Sequence, residues 1–185
     1  MPAKRKPSKK LESVVLGGGC FWCTEAVYSH TKGVISIAAG YAGGTTENPN
    51  YEKVSGGNTG HAETVKIDFD PEIISLEKIL RIFFLTHNPT TRNRQGNDVG
   101  SQYRSIILYD TEEQKEIAAR IIRELNAEKI YSDPIVTEIS PLKNFYPAET
   151  YHQKYFAKNP EQAYCQTIIS PKIAKLRQKF GEYFK

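Results

Sequence analysis

The segment Gly17-Gly18-Gly19-Cys20-Phe21-Trp22-Cys23 sets a cysteine after a short apolar stretch, behind three glycines and ahead of a helical pattern. A sulfur in that position faces the unpaired amides and positive end of a helix, which favours the thiolate and predicts a lowered pKa. The glycines permit a sharp turn and leave the sulfur open to a ligand. The single tryptophan of the chain, Trp22, follows closely with Phe21 beside it, so a small apolar group could be held next to the nucleophile. A cysteine by itself is more often a core residue; the combination of strand, glycine turn and helix start is what points to chemistry. Cys20 and Cys23 also form a C-x-x-C, the spacing of thioredoxin-like redox sites. The same spacing is half of a zinc site, but only Cys165 and four scattered histidines remain, so no metal is expected.

A second reactive group emerges from periodicity. Over residues 62–69, Glu63, Val65, Ile67 and Phe69 share one face of a strand, and Ala62, Thr64, Lys66 and Asp68 share the other. A carboxyl on the apolar face is desolvated and holds its proton, as a general acid near neutral pH must; a glutamate at a frayed strand end next to Gly60 would instead turn to solvent. Tyr51 and Tyr103 carry hydroxyl donors in or beside polar loops, yet composition does not separate them from the other tyrosines, eleven in all. Asp98, within Gly96-Asn97-Asp98-Val99-Gly100, is by itself a turn residue. His61 and His152 receive no role.

The elements that must position these groups follow from pattern and punctuation. A strand over Val14–Leu16 runs into the glycines, a helix spans Phe21–Ser29, and a strand spans Val34–Ala39. Gly43–Gly60 forms a long Gly- and Asn-rich loop before the strand over residues 62–69. Ser75 caps a helix that runs through His87, with Pro89 beyond it, and a polar loop from Thr90 to Gly100 leads to a strand over Tyr103–Tyr109. Thr111 and Gln114 make a capping box for a helix to Ala127, and a strand follows over Pro134–Ile139. Two short helices end the chain, the last with Ser170 as cap and Pro171 at its first position. Strand, helix, strand, strand, helix, strand is the split βαβ order, so the expected fold is α+β. It would be a two-layer sandwich with a ferredoxin-like core, a mixed or antiparallel sheet, two long functional loops and extra C-terminal helices.

Length and composition set the outer bounds. A chain of 185 residues, 39% hydrophobic and 25% charged, suits one ordinary globular domain, and no apolar run reaches the roughly 18 residues of a membrane span. The charged start has no apolar segment behind it, so no secretory leader is expected and the cytoplasm is the default compartment. The net charge of +4 is concentrated in Lys4, Arg5, Lys6, Lys9 and Lys10, which divides the chain into a disordered basic tail, 1–10, and a catalytic domain, 11–185. The remainder is near neutral, which argues against nucleic acid as a partner.

Taken together, several segments resemble the A-type peptide methionine sulfoxide reductases. These are Gly19-Cys20-Phe21-Trp22, Gly40-Tyr41-Ala42-Gly43-Gly44, Asn48-Pro49-Asn50-Tyr51 and Thr59-Gly60-His61-Ala62-Glu63, then Arg94 to Ser105, Asn159-Pro160 and Tyr164-Cys165. The resemblance implies that Cys20 attacks the sulfoxide sulfur and Glu63 protonates the departing oxygen, with Tyr51 and Tyr103 donating hydrogen bonds to it. Phe21 and Trp22 would hold the S-methyl group, and Asp98 would order the polar side of the pocket. It further implies action on the S epimer of free and protein-bound methionine sulfoxide, a sulfenic acid on Cys20, and no metal or organic cofactor. Regeneration would run through an intramolecular disulfide and thioredoxin or a similar dithiol, in a monomer with no membrane contact. Many relatives resolve the sulfenic acid with a cysteine in a glycine-rich C-terminal tail. Cys165 stands where that cysteine belongs, but Ile168-Ile169 and a helix follow it, and Cys23 is a rival one helical turn from Cys20. Both stay open at this point. A thiol–disulfide oxidoreductase using Cys20 and Cys23 directly, or a non-catalytic peptide-binding module, would leave Glu63 or the thiolate without use.

Overall fold

The computed structural model describes residues 10–185, so the basic tail expected over 1–10 lies outside the described residues except for Lys10. In chain order the first half comprises β1 (Glu12–Gly17), α1 (Phe21–Ser29), β2 (Val34–Ala42), α2 (Tyr51–Ser55), β3 (Ala62–Phe69) and α3 (Leu76–Thr86). The second half comprises β4 (Arg94–Gln95), β5 (Asp98–Val99), β6 (Ile106–Tyr109), α4 (Glu112–Ala127), β7 (Glu138–Pro141), β8 (Phe145–Pro147), α5 (Tyr155–Lys158) and α6 (Ser170–Phe180).

The main sheet has the order β7-β6-β1-β3-β2-β8, and β4 and β5 form a separate small hairpin. The inner run β6-β1-β3-β2 is antiparallel throughout, as the split βαβ order requires when its two helices cross over on one face. β7 adds in parallel to β6 and β8 antiparallel to β2, so the expected α+β fold with a mixed sheet is what forms. Alternation along β1 explains the layering: Val14 and Leu16 enter the main core with α1, α3 and α4, and Val15 meets Ala42, Ala62, Ile106 and Leu108 on the opposite face. Helices α3 and α4 each start on a cap: Ser75 Oγ accepts from Lys78 N at 3.2 Å and Thr111 Oγ1 from Gln114 N at 3.2 Å. Glu77 and Arg81 of α3 interlock with Arg120 and Glu124 of α4 as four alternating charges, which fixes the two helices against each other. Among the described residues no helix is long and apolar enough to cross a membrane.

Several boundaries differ from expectation, each for a physical reason. β2 continues to Ala42 because Gly40 lets β8 approach; a Cβ there would lie 2.4 Å from the Phe145 ring. The Gly43–Gly60 loop contains α2, capped by Asn50, and His61 ties the loop down by accepting from Gly44 N at 3.0 Å. Tyr103 is not in a strand: Gly100, at φ 147°, turns the chain into a 3-10 turn over Ser101–Tyr103, and β6 begins only at Ile106. Pro134 to Thr137 stays outside the sheet, with Val136 N bonded to Pro89 O instead, and β7 starts at Glu138. The side chain of Gln114 does not return to Thr111; it accepts from Asp110 N and donates to Ser13 O, tying α4 to β1. Ser170 does not cap a helix either, because Cys165–Ile169 is a π-helical turn that runs unbroken into α6. Cys165, Ile169, Ile173 and Leu176 bury one continuous stripe. Pro171 lacks an amide and crowds the Thr167 carbonyl, which accounts for the widened turn before it.

Candidate active site

β1 ends on glycines because nothing larger fits. At Gly17 a Cβ would lie 2.9 Å from Ile106 Cγ2, at Gly18 2.9 Å from the Phe83 ring, and at Gly19 2.7 Å from Gln95 Cγ. Gly19 also adopts φ +92°, which turns the chain so that Cys20 becomes the N-cap residue of α1. The first free amide of the helix, Phe21 N, donates to Glu63 Oε2 at 3.1 Å. Glu63 is 2% exposed on β3, opposite Tyr41 of β2, so the inward face predicted from alternation is the one it occupies. Burial pushes its carboxyl up to about 8, against the Phe21 amide, and the nearby charge of Asp98 adds to the rise.

The thiol of Cys20 departs from expectation. Its pKa is raised well above the ordinary thiol value, first by burial, then by the charges of Glu63 and Cys23; the Trp22 amide and the Tyr164 hydroxyl oppose this without prevailing. A helix terminus contributes only a partial charge, whereas loss of solvent costs several times as much. The two groups are linked, since a protonated Glu63 no longer opposes ionisation of Cys20. The resting pair therefore holds both protons near neutral pH.

A cavity of about 110 Å³ gathers these groups: Cys20, Phe21, Trp22, Tyr51, Glu63, Asp98, Tyr103 and Tyr164 line it. A larger groove of about 590 Å³, between residues 10–13 and the starts of α3 and α4, contains no thiol, so size does not mark the site. Tyr51 enters from the start of α2, Asp98 from the small hairpin and Tyr103 from the 3-10 turn. Burial and then the Glu63 charge raise both tyrosines, which keep their hydroxyl protons as hydrogen-bond donors, and burial raises Asp98. Trp22 stacks on Tyr155 at 3.7 Å and 6° and donates from Nε1 to His152 Nδ1 at 3.0 Å. That leaves the His152 proton on Nε2, which points toward Glu149 Oε2 at 3.6 Å. Glu149 in turn accepts from Tyr51 N and from the Tyr41 hydroxyl, both at 2.9 Å. The apolar wall and the tyrosine wall of the cavity are thus held by one network. The Phe21 ring is fully buried against Tyr41 and His152.

Cys23 and Cys165 differ in their relation to the cavity. Neither lines it and both are buried, and all three sulfurs are free thiols. Cys23 lies 3.5 Å from the Tyr164 hydroxyl. Cys165 is packed in the core, where burial raises its thiol and the charge of Cys23, not of Cys20, adds to the effect. Sequence reasoning missed Tyr164, His152 and Glu149 as parts of the site. The only advance signal was that a half-buried tryptophan needs an acceptor for its N–H. Among the described residues no group of three or more His, Cys, Asp or Glu side chains is arranged to hold a metal ion.

The family model for peptide methionine sulfoxide reductase matches residues 12–183. A peptide methionine sulfoxide reductase MsrA of Leptospira borgpetersenii is 58% identical over 165 residues, 89% of this chain and 93% of the relative. The crystal structure of Mxr1 from Saccharomyces cerevisiae in reduced form superposes with a TM-score of 0.78 at 36% identity, covering 89% of this chain and 94% of that one. Mxr1 in complex with Trx2 superposes with a TM-score of 0.54 at 26% identity, over 83% of this chain and 90% of that one.

Proposed function

The chain belongs to the peptide methionine sulfoxide reductase family and is an MsrA-type oxidoreductase that reduces methionine sulfoxide; on that premise we propose that Cys20 is its nucleophile and Glu63 its acid. The observation that carries this reading is a thiol and a carboxyl with a pKa of about 8 on the wall of one small cavity. Binding sets the sulfoxide oxygen against Glu63, Tyr51 and Tyr103 and its sulfur against Cys20. Glu63 protonates the oxygen, which makes the sulfur electrophilic, and the Cys20 sulfur attacks as its own proton passes to the vacated carboxylate. The oxygen then passes from the substrate sulfur to the Cys20 sulfur: the substrate sulfur–oxygen bond and the transient bond between the two sulfurs both break, a sulfur–oxygen bond forms on Cys20, methionine leaves, and Cys20 is left as sulfenic acid. One thiol proton has become the sulfenic acid proton, and the carboxyl ends as it began. Phe21 and Trp22 form the apolar side for the methyl group, and Asp98 orders the polar side.

A three-point fit of oxygen, methyl group and main chain selects one configuration at sulfur. Blocked methionine sulfoxide supplied as separated epimers with dithiothreitol should yield methionine from the S epimer only. Equal consumption of both epimers would overturn this assignment of the walls.

For the second step we infer that Cys23, rather than Cys165, resolves the sulfenic acid, because Cys23 shares the Tyr164 hydroxyl with Cys20 and Cys165 is packed away from the cavity. A thioredoxin-type dithiol then reduces the disulfide, as the likeness to the Mxr1–Trx2 complex supports. Cys23→Ser should still release one methionine per molecule on first mixing, while thioredoxin-driven turnover falls to near background. Cys165→Ala should keep both. The opposite pattern would transfer the resolving role to Cys165.

A further inference from the structure

Tyr164 stands apart from the other two hydroxyls of the cavity. Glu63 and, less strongly, Cys20 bear on Tyr51 and Tyr103, whereas Tyr164 feels Cys20 together with Cys23 and makes hydrogen bonds to both thiols. Its ring lines the cavity beside Cys20, with the edge of Trp22 at 6.0 Å, and its oxygen lies 3.5 Å from the sulfur of Cys23 behind the cavity wall. One hydroxyl thus sits between the two thiols. It is held there by the helical run that begins at Cys165, whose sulfur is fully buried in the core.

Closing a disulfide between these sulfurs sets a problem of charge. If Cys23 ionised first, an anion would form in a buried place, and if the Cys20 oxygen left as hydroxide, a second would form beside it; each carries a desolvation cost. We propose that the Tyr164 hydroxyl is a catalytic residue of this second step, passing the proton of Cys23 to the oxygen leaving Cys20. The proposal rests on Cys23 being the resolving thiol. Tyr164 donates its own proton to the sulfenic acid oxygen while it accepts the S–H proton of Cys23. The Cys23 sulfur bonds to the Cys20 sulfur, the Cys20 sulfur–oxygen bond breaks, and the oxygen departs as water. The sulfenic sulfur of Cys20 is reduced and the thiol sulfur of Cys23 oxidised to the common disulfide level, water is the only other product, and the tyrosine is returned unchanged. The raised pKa values of Cys23 and Tyr164 are the expected companions of a path that carries protons without separating charge.

The test follows a single turnover on rapid mixing with sulfoxide and no reductant, measuring methionine released, sulfenic acid trapped by dimedone, and disulfide formed. In Tyr164→Phe, disulfide formation should slow by on the order of 10²-fold more than methionine release does, the scale of a lost proton-transfer group, and trapped sulfenic acid should accumulate. Its rate should also rise with pH as Cys23 ionises, where the wild-type rate is nearly flat. Equal slowing of both steps, or disulfide formation at the wild-type rate, would overturn the proposal. Should Tyr164→Phe fail to fold, the wild-type disulfide step must slow in heavy water, and identical rates would overturn the proposal equally. Peptide mapping of the wild-type disulfide separates the two claims. A Cys20–Cys165 bond would refute the reading of Cys23, whereas a Cys20–Cys23 bond with no effect of Tyr164→Phe would refute the relay alone.

Discussion

Cys20→Ser reduces no methionine sulfoxide above the background of the reductant, a loss expected to be on the order of 10⁴-fold or more, because it removes the atom that receives the oxygen. An alcohol at this site is a far weaker nucleophile toward sulfur and has no stable oxygenated state equivalent to a sulfenic acid. The variant should nevertheless fold, for a local reason. Cys20 makes no side-chain capping bond to α1, and serine is among the preferred N-cap residues, so the helix start loses nothing and gains an acceptor. Methionine release with dithiothreitol, followed alongside a thermal melt, checks both halves. Turnover in a folded Cys20→Ser protein would remove Cys20 from the centre of the scheme.

Glu63→Gln loses the proton but keeps the shape. The carbonyl oxygen of the introduced amide can still accept from Phe21 N, so the turn between β1 and α1 should be preserved and the substrate should bind with little change. The chemical step should fall by roughly 10² to 10⁴-fold, carried by kcat with KM nearly constant. The pH profile gives an independent reading. The acid form of Glu63 persists up to about 8, so the wild-type rate of methionine release holds through neutral pH and declines as pH rises through that value. In Glu63→Gln that limb should disappear. A variant altered only in KM, or one that keeps the alkaline decline, would show that another group supplies the proton.

What could be read from the chain ahead of the structure was whatever depends on neighbours in sequence. Alternation over β3 located an inward carboxyl, the Ser75 and Thr111 caps marked α3 and α4, and the element order implied the β6-β1-β3-β2 core. What could not be read depends on distant partners. β8 is three residues long and has no period of its own; it exists because Gly40 admits the Phe145 ring. Tyr164 and His152 reach the site only through folding, and their contacts with Cys23 and Trp22 span most of the chain. The ionisation of Cys20 was misjudged for the same reason. A helix start can be seen locally, whereas the burial and carboxylate charge that outweigh it come from β3 and the loops around the cavity.

The location of Cys23 one turn along α1, with Cys165 locked in a continuous helix, bears on chain entropy. A bond from Cys20 to Cys165 would close a loop containing most of the chain and restrict its unfolded ensemble by roughly 5 kcal/mol on the loop-closure model, whereas closing four residues restricts it by only roughly 2 kcal/mol. A disulfide between Cys20 and Cys23 therefore shifts global stability comparatively little between oxidised and reduced forms. The fold need not tighten and relax with each cycle, and most of the free energy of the redox couple remains available for exchange with the incoming dithiol.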